Sequence, residues 1–241
     1  ALDIFLNYRS TLSENATLDD VGNLYLDKIK TIDSDCYYYK SSPAFPGLLT
    51  QEIMTALYIA AQKKEKYHFK LLLKLSGRLP SDFVEMTNLA TVTLNMSIIG
   101  FILLGYVLMN GGQLNGPIVG SIIGVMSFGA FGNQVKNTVP VLVGIMIGSY
   151  LTGVEPTSTS ALIAAIFGTT LAPVSGYYGP FAGMIAGFVH ITLVSHVVVM
   201  HGGLNLYNNG FAGGFVAAVL VPIFEIFEGI RQEMKERKAE G

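Results

Sequence analysis

Apolar residues fill six long runs toward the C-terminal side of the chain, and polar residues collect at the ends of each run. The runs cover roughly 86–109, 114–131, 139–151, 158–173, 180–200 and 211–227. Inside a bilayer every backbone N–H and C=O must be paired within the protein, so runs of this kind read as helices. A crossing helix needs about 20 apolar residues to cover a core of about 30 Å. Residues 86–109 and 180–200 meet that length, whereas 139–151 is only about 20 Å of helix. The run 158–173 is interrupted by Ser158, Thr159, Ser160, Thr169 and Thr170. These two segments are expected to form either two tilted spans or one re-entrant hairpin. Half-length and broken helices are tolerated at membrane depth only where protein or water satisfies them, and in transporters they often mark the substrate site.

The pattern therefore predicts an all-α fold: a polytopic transmembrane helix bundle of about six membrane segments, with room for re-entrant or broken helices. A polar, mostly helical segment over 1–81 precedes it. Within that segment Leu48, Leu49, Ile53, Leu57, Tyr58 and Ala61 recur at helical spacing. They predict an amphipathic helix over 47–62 at the membrane surface, followed by a basic cluster over 63–78. The bundle occupies 82–230, and a charged tail follows over 231–241.

Charge sharpens this division. Charged residues make up 13% of the chain, about half the usual share for a globular domain, and mean hydropathy is +0.48. Between Met86 and Phe224 only Lys136 and Glu155 are charged. If the 63–78 block is cytoplasmic, six crossings place Lys136 and the tail residues Arg231, Lys235, Arg237 and Lys238 on the same side. The loops 110–113, 152–157 and 201–210 then fall outside and hold no Lys or Arg, as the positive-inside rule requires. The expected location is a plasma membrane, with 63–78 and 231–238 in the cytoplasm. A net charge of −2 without a basic stripe implies no nucleic-acid partner. The single cysteine, Cys36, excludes an internal disulfide and a Cys-rich metal site.

A pattern GPxxGxxxG occurs twice, from Gly116 to Gly124 and from Gly179 to Gly187. Proline at a helix start with small residues every third or fourth position gives a smooth face for close helix packing. Independent close packing of each helix and an internal duplication both account for it. The two copies would run in opposite directions, as an inverted repeat requires.

Three stretches carry a resemblance: PSDFVEMTNLATVTLN (80–95), FGNQVKNTVPVLVGI (131–145) and HGGLNLYNNGFAGG (201–214). Together they resemble an uncharacterised family of bacterial polytopic integral membrane proteins, a domain of unknown function. The resemblance covers about 78–227 and implies an integral membrane location; it carries over no functional residue. Members of that family are longer at the N-terminus, so a missing N-terminal part is expected, and a homo-oligomer is a further candidate partner.

Polar groups inside apolar helices must face protein or water, which makes them candidate chemistry. Asn88, Thr91 and Asn95 share one helix face. His190 lies in the fifth run, and His201, Asn205, Asn208 and Asn209 lie in the glycine-rich hinge before the sixth. The candidate substrate-binding set is Asn88, Asn95, Asn205, Asn208, Asn209, His190 and His201, with no catalytic residue. His190 and His201 sit three helical turns apart, about 16 Å, and cannot share a metal at about 2 Å. No metal and no cofactor is expected. Buried amides, broken helices and small-residue packing point first to a transporter or channel for a small polar solute in a lipid bilayer. A noncatalytic scaffold or subunit is the second reading. A lipid-modifying enzyme using Asp82, Glu85 or a histidine is the third, and is weakened because Asp82 and His201 fall on opposite sides.

Overall fold

The computed structural model describes residues 66–78, 81–197 and 208–240. All of them fall in one compact unit. The expected amphipathic helix over 47–62 lies outside the described residues, as do His201 and Asn205.

Among the described residues the structure is entirely helix and connecting turn. Helix α1 (Phe69–Leu72) and helix α2 (Phe83–Met86) are single turns. Helix α3 (Leu89–Met109) is the first long one, started by Asn88, whose side chain accepts from the Thr91 N–H. Helix α4 (Gly116–Met126) is capped by Asn115 and tightens into a 3-10 turn over Ser127–Ala130. Helix α5 (Val135–Thr152) opens with a reciprocal pair in which Gln134 Oε1 accepts from the helix backbone and Asn137 Oδ1 from the Gln134 N–H. It ends at Gly153, whose φ of 70° is the left-handed cap glycine accepts without strain. Helix α6 (Thr159–Gly168), a 3-10 turn (Thr169–Leu171) and helix α7 (Ala172–Tyr178) form one broken rod. Helix α8 (Pro180–Val197) and helix α9 (Asn208–Glu240) complete the described part.

Five of these rods are long and apolar enough to cross a membrane: α3, α5, the α6–α7 rod, α8 and α9. Gly116–Ala130 is apolar but shorter. The segments expected to be short are therefore longer than their apolar runs. Polar residues at the start of α5 extend it by a full turn, and the α6–α7 rod runs on through α7 to Tyr178. With 33 residues, α9 is about 50 Å long and overshoots a bilayer core by about 20 Å.

Contacts sort the helix ends into two groups. At one end Asn88 Nδ2 donates to the Lys66 carbonyl at 2.9 Å, and Arg78 meets Glu225 at 3.1 Å. At the other, Asn115 Nδ2 donates to Thr159 Oγ1 at 2.9 Å. The basic residues from Lys66 to Arg78, Lys136 and the end of α9 thus share one end of the bundle.

The main core is an apolar cluster drawn from α3 to α9, including Ile99, Leu103, Ile122, Ile145, Leu162 and Ile191, all buried, and a smaller one joins Leu72, Phe83 and Val92. Its tightest seam joins α5 to α8. A Cβ added at Gly144 would strike the Met184 carbonyl, and one at Gly187 the Val141 carbonyl. Here the two GPxxGxxxG copies part company. In α8, Gly183 packs against Ser175 and Gly187 against α5, whereas in α4 Gly120 and Gly124 face open space. Close packing is the role of the second copy alone.

Candidate functional site

The broken rod places a short polar stretch in the middle of the bundle. Gly168, Thr169 and Thr170 follow one another where α6 tightens into its 3-10 turn, and each faces a different neighbour. A mid-helix 3-10 stretch often marks a functional hinge. Thr169 and Thr170 return their own hydroxyl protons to the carbonyls of Ile166 and Phe167, both at 2.7 Å.

On one side stands His190 of α8. It is fully buried, and neither ring nitrogen has a hydrogen-bond partner. Its ring lies against Gly168 and Ile145: a Cβ on Gly168 would come within 2.6 Å of Ile145 and 2.8 Å of the imidazole. The Nδ1 side faces α9, where a Cβ on Gly213 would sit 4.0 Å from Nδ1 and 4.0 Å from Thr170 Oγ1. The Ala164 carbonyl and the Asn209 side chain flank the ring, but neither reaches it with hydrogen-bond geometry. Asn208 and Asn209 form the first turn of α9, and Asn209 Oδ1 is buried with no partner.

On the other side lies a network of carboxamides. Asn133 Nδ2 donates to Thr169 Oγ1 at 3.3 Å. Asn95 Nδ2 donates to the carbonyls of Asn133 and Gly129, both at 2.8 Å. Gln134 Nε2 reaches the Leu73 and Leu75 carbonyls at 3.4 and 3.3 Å, and Asn137 Nδ2 reaches Ser76 at 3.2 Å. These bonds hold residues 73–78 as an irregular strap across the bundle end. The strap is pressed down by two glycine contacts, Gly77 on the Gly132 carbonyl and Gly176 on the Ser76 carbonyl. Arg78 then stacks over Tyr177 at 4.3 Å, and Glu225 accepts from Arg78 and from Tyr178 Oη at 3.2 Å.

A file of polar groups thus runs from Asn209 through His190 and the 168–170 turn to Asn133 and Asn95. Of the residues singled out in the sequence, His190, Asn208 and Asn209 gather at one part of this file and Asn95 joins the other. Asn88 sits apart, half-buried at the start of α3, where it caps the helix and holds Lys66. Residues missed are Asn133, Thr169 and Gln134, all nearly or fully buried. A carboxamide next to glycine between two apolar runs is the signal that could have found Asn133. Lys136, the basic residue that drew notice in that loop, is exposed. Among the described residues no group of three His, Cys, Asp or Glu could hold a metal.

An all-helical chain with several bilayer-length apolar rods and amides buried between them is an integral membrane protein. By sequence it belongs to the family described as Protein of unknown function (DUF1576), whose model matches residues 62–226. Residues 1–93 are also similar to the family model described as Immunity protein 47, which overlaps the first match at 62–93. No curated protein and no solved structure matches the chain.

Proposed function

We propose that this protein is a transporter or channel for a small polar solute, with the file from Asn209 through His190 to Asn95 as the solute's route. The observation that carries the reading is His190: a ring buried in the apolar core with both nitrogens unpartnered. Buried polar groups are nearly always paired, and ionisable residues among membrane helices commonly mark substrate pathways. Neutral amides and hydroxyls dominate the file, which suits a neutral or weakly charged solute. Asn205 and His201, in the hinge before α9, remain candidates for its outer mouth, and the cytoplasmic side is assigned to the end that carries the basic residues.

The purified chain in liposomes, mixed rapidly with urea, glycerol or formamide, tests this by light scattering. Entry of at least one solute should exceed that into protein-free liposomes, and Asn209→Ala should change its rate several-fold. Entry no faster than control for all three would overturn the reading.

A second reading is a noncatalytic membrane subunit whose polar N-terminal third binds another protein. The similarity of residues 1–93 to the Immunity protein 47 model favours it. Stoichiometric copurification of a partner that is lost on deleting residues 1–61 would support this second reading.

A further inference from the structure

Two of the unpartnered oxygens belong to one junction. Asn95 on α3 and Asn133 in the turn before α5 are both 0% exposed. They are joined directly, since Asn95 Nδ2 donates to the Asn133 carbonyl. The bonds fix which end of each amide is oxygen. Turning Asn95 over would set its oxygen against the Gly129 and Asn133 carbonyls. Turning Asn133 over would set its oxygen against the Thr169 hydroxyl, whose proton is already given to Ile166. Both Nδ2 groups therefore do structural work, and both Oδ1 atoms are left buried without a donor. A buried acceptor of this kind carries an uncompensated desolvation cost.

We propose that the junction of α3, the 131–134 turn and the Thr169 turn binds a small monovalent cation through neutral oxygens, with Asn95 Oδ1 and Asn133 Oδ1 as ligands. Every unsatisfied atom at the junction is an acceptor, so an anion finds nothing there to bind. Calcium and magnesium sites draw on carboxylates, whereas Asn95 and Asn133 are fully buried and the carboxylates of the neighbouring α2, Asp82 and Glu85, are exposed. Asp82 caps α2, Glu155 lies at the opposite end, and Glu225 is held by Arg78 and Tyr178. Transition metals favour imidazole and thiolate, and the nearest imidazole along the file, His190, lies beyond the 168–170 turn. What fits is an ion satisfied by amide and backbone oxygens at a break between helices, the arrangement in which transporters hold sodium ions and protons. Lys136, three residues from Asn133 and exposed, opposes a cation through water and keeps the affinity weak.

The ion's role as a carried or coupled species rests on the transport reading; its binding does not. The test is thermal unfolding of the purified full chain in an uncharged detergent, titrated with sodium, potassium, ammonium or choline chloride at constant ionic strength. At least one of the three small cations should raise the midpoint above that in choline, saturably and by a few degrees at about ten times Kd. Asn133→Ala should abolish that increment while its midpoint in choline reports a folded protein. Asn133→Asp, which supplies a charged oxygen at the same place, should keep or enlarge it, and carries the test if the alanine variant does not fold. Superimposable wild-type titrations in all four salts would overturn the proposal, as would an increment that persists in both Asn133→Ala and Asn95→Ala. A saturable shift without solute flux would leave the ion site standing and sink the transport reading; flux without a shift would do the reverse.

Discussion

His190 is a residue whose removal should help the fold and harm the function. An unpartnered buried polar group carries a desolvation penalty of about 1–3 kcal/mol. His190→Leu puts an apolar side chain of similar bulk in its place and removes that penalty. Its unfolding midpoint in detergent should therefore rise while solute entry into liposomes falls to the control rate. A fall in stability instead would mean that the imidazole is anchored in the native protein. The glycines divide in a comparable way. Gly187→Ala drives a methyl group onto the Val141 carbonyl and should cost about 1–3 kcal/mol through overpacking. Gly120→Ala meets nothing within 4 Å and should be neutral or gain up to about 1 kcal/mol in helix propensity. Denaturant titrations of the two variants against wild type measure the difference.

At the level of helices, much of the fold was legible because apolar runs cannot end up anywhere but in lipid or core. The boundaries were harder to read. Residues 135–138 look like loop because Lys136, Asn137 and Thr138 are polar, yet they form the first turn of α5. Asn137 and Thr138 are buried there, Asn137 against the strap at Ser76. Asn88 suggested a polar face shared with Asn95, but a carboxamide just before an apolar helix serves equally as its cap, and spacing alone does not separate the two. The pairing of His190 with α6 and α9 depends on which helices are neighbours, and that is not encoded in periodicity. The described part of the basic cluster has one turn of helix, and beyond it the chain is irregular, because the carbonyls of Leu73, Leu75 and Ser76 bond to the side chains of Gln134 and Asn137 rather than to its own backbone. Asn137→Ala should free that strap: trypsin should cut after Lys74 and Arg78 several-fold faster, with the bundle's unfolding midpoint little changed.

For the molecule as a whole, the alternation of helix ends makes a topological prediction. With Cys36 replaced, single cysteines at Gln113 and Glu155 should react together with an impermeant thiol reagent from one side of intact cells. Cysteines at Lys136 and Tyr177 should react only after the membrane is opened. All four positions are exposed in the bundle. Labelling of Gln113 without Glu155 would mean that α5 and the α6–α7 rod do not both cross. The grouping of loops was readable from the distribution of Lys and Arg, which two spans or one re-entrant pair over 139–173 satisfy equally; the contact of Asn115 with Thr159 joins the ends of two helices that periodicity could not pair.

The strap has a further consequence, in the timing of biogenesis. Its partners lie far downstream: Gln134 and Asn137 reach back 59–61 positions and Glu225 lies 147 positions beyond Arg78. At about 5–20 residues per second, Arg78 is made about 7–30 s before Glu225. Until Gln134 and Asn137 are made, about 3–12 s after the strap, the basic stretch has none of these partners, and Glu225 comes later still. Its charges are available to orient α3 as it enters the membrane, and they are fastened down only after the orientation has been chosen.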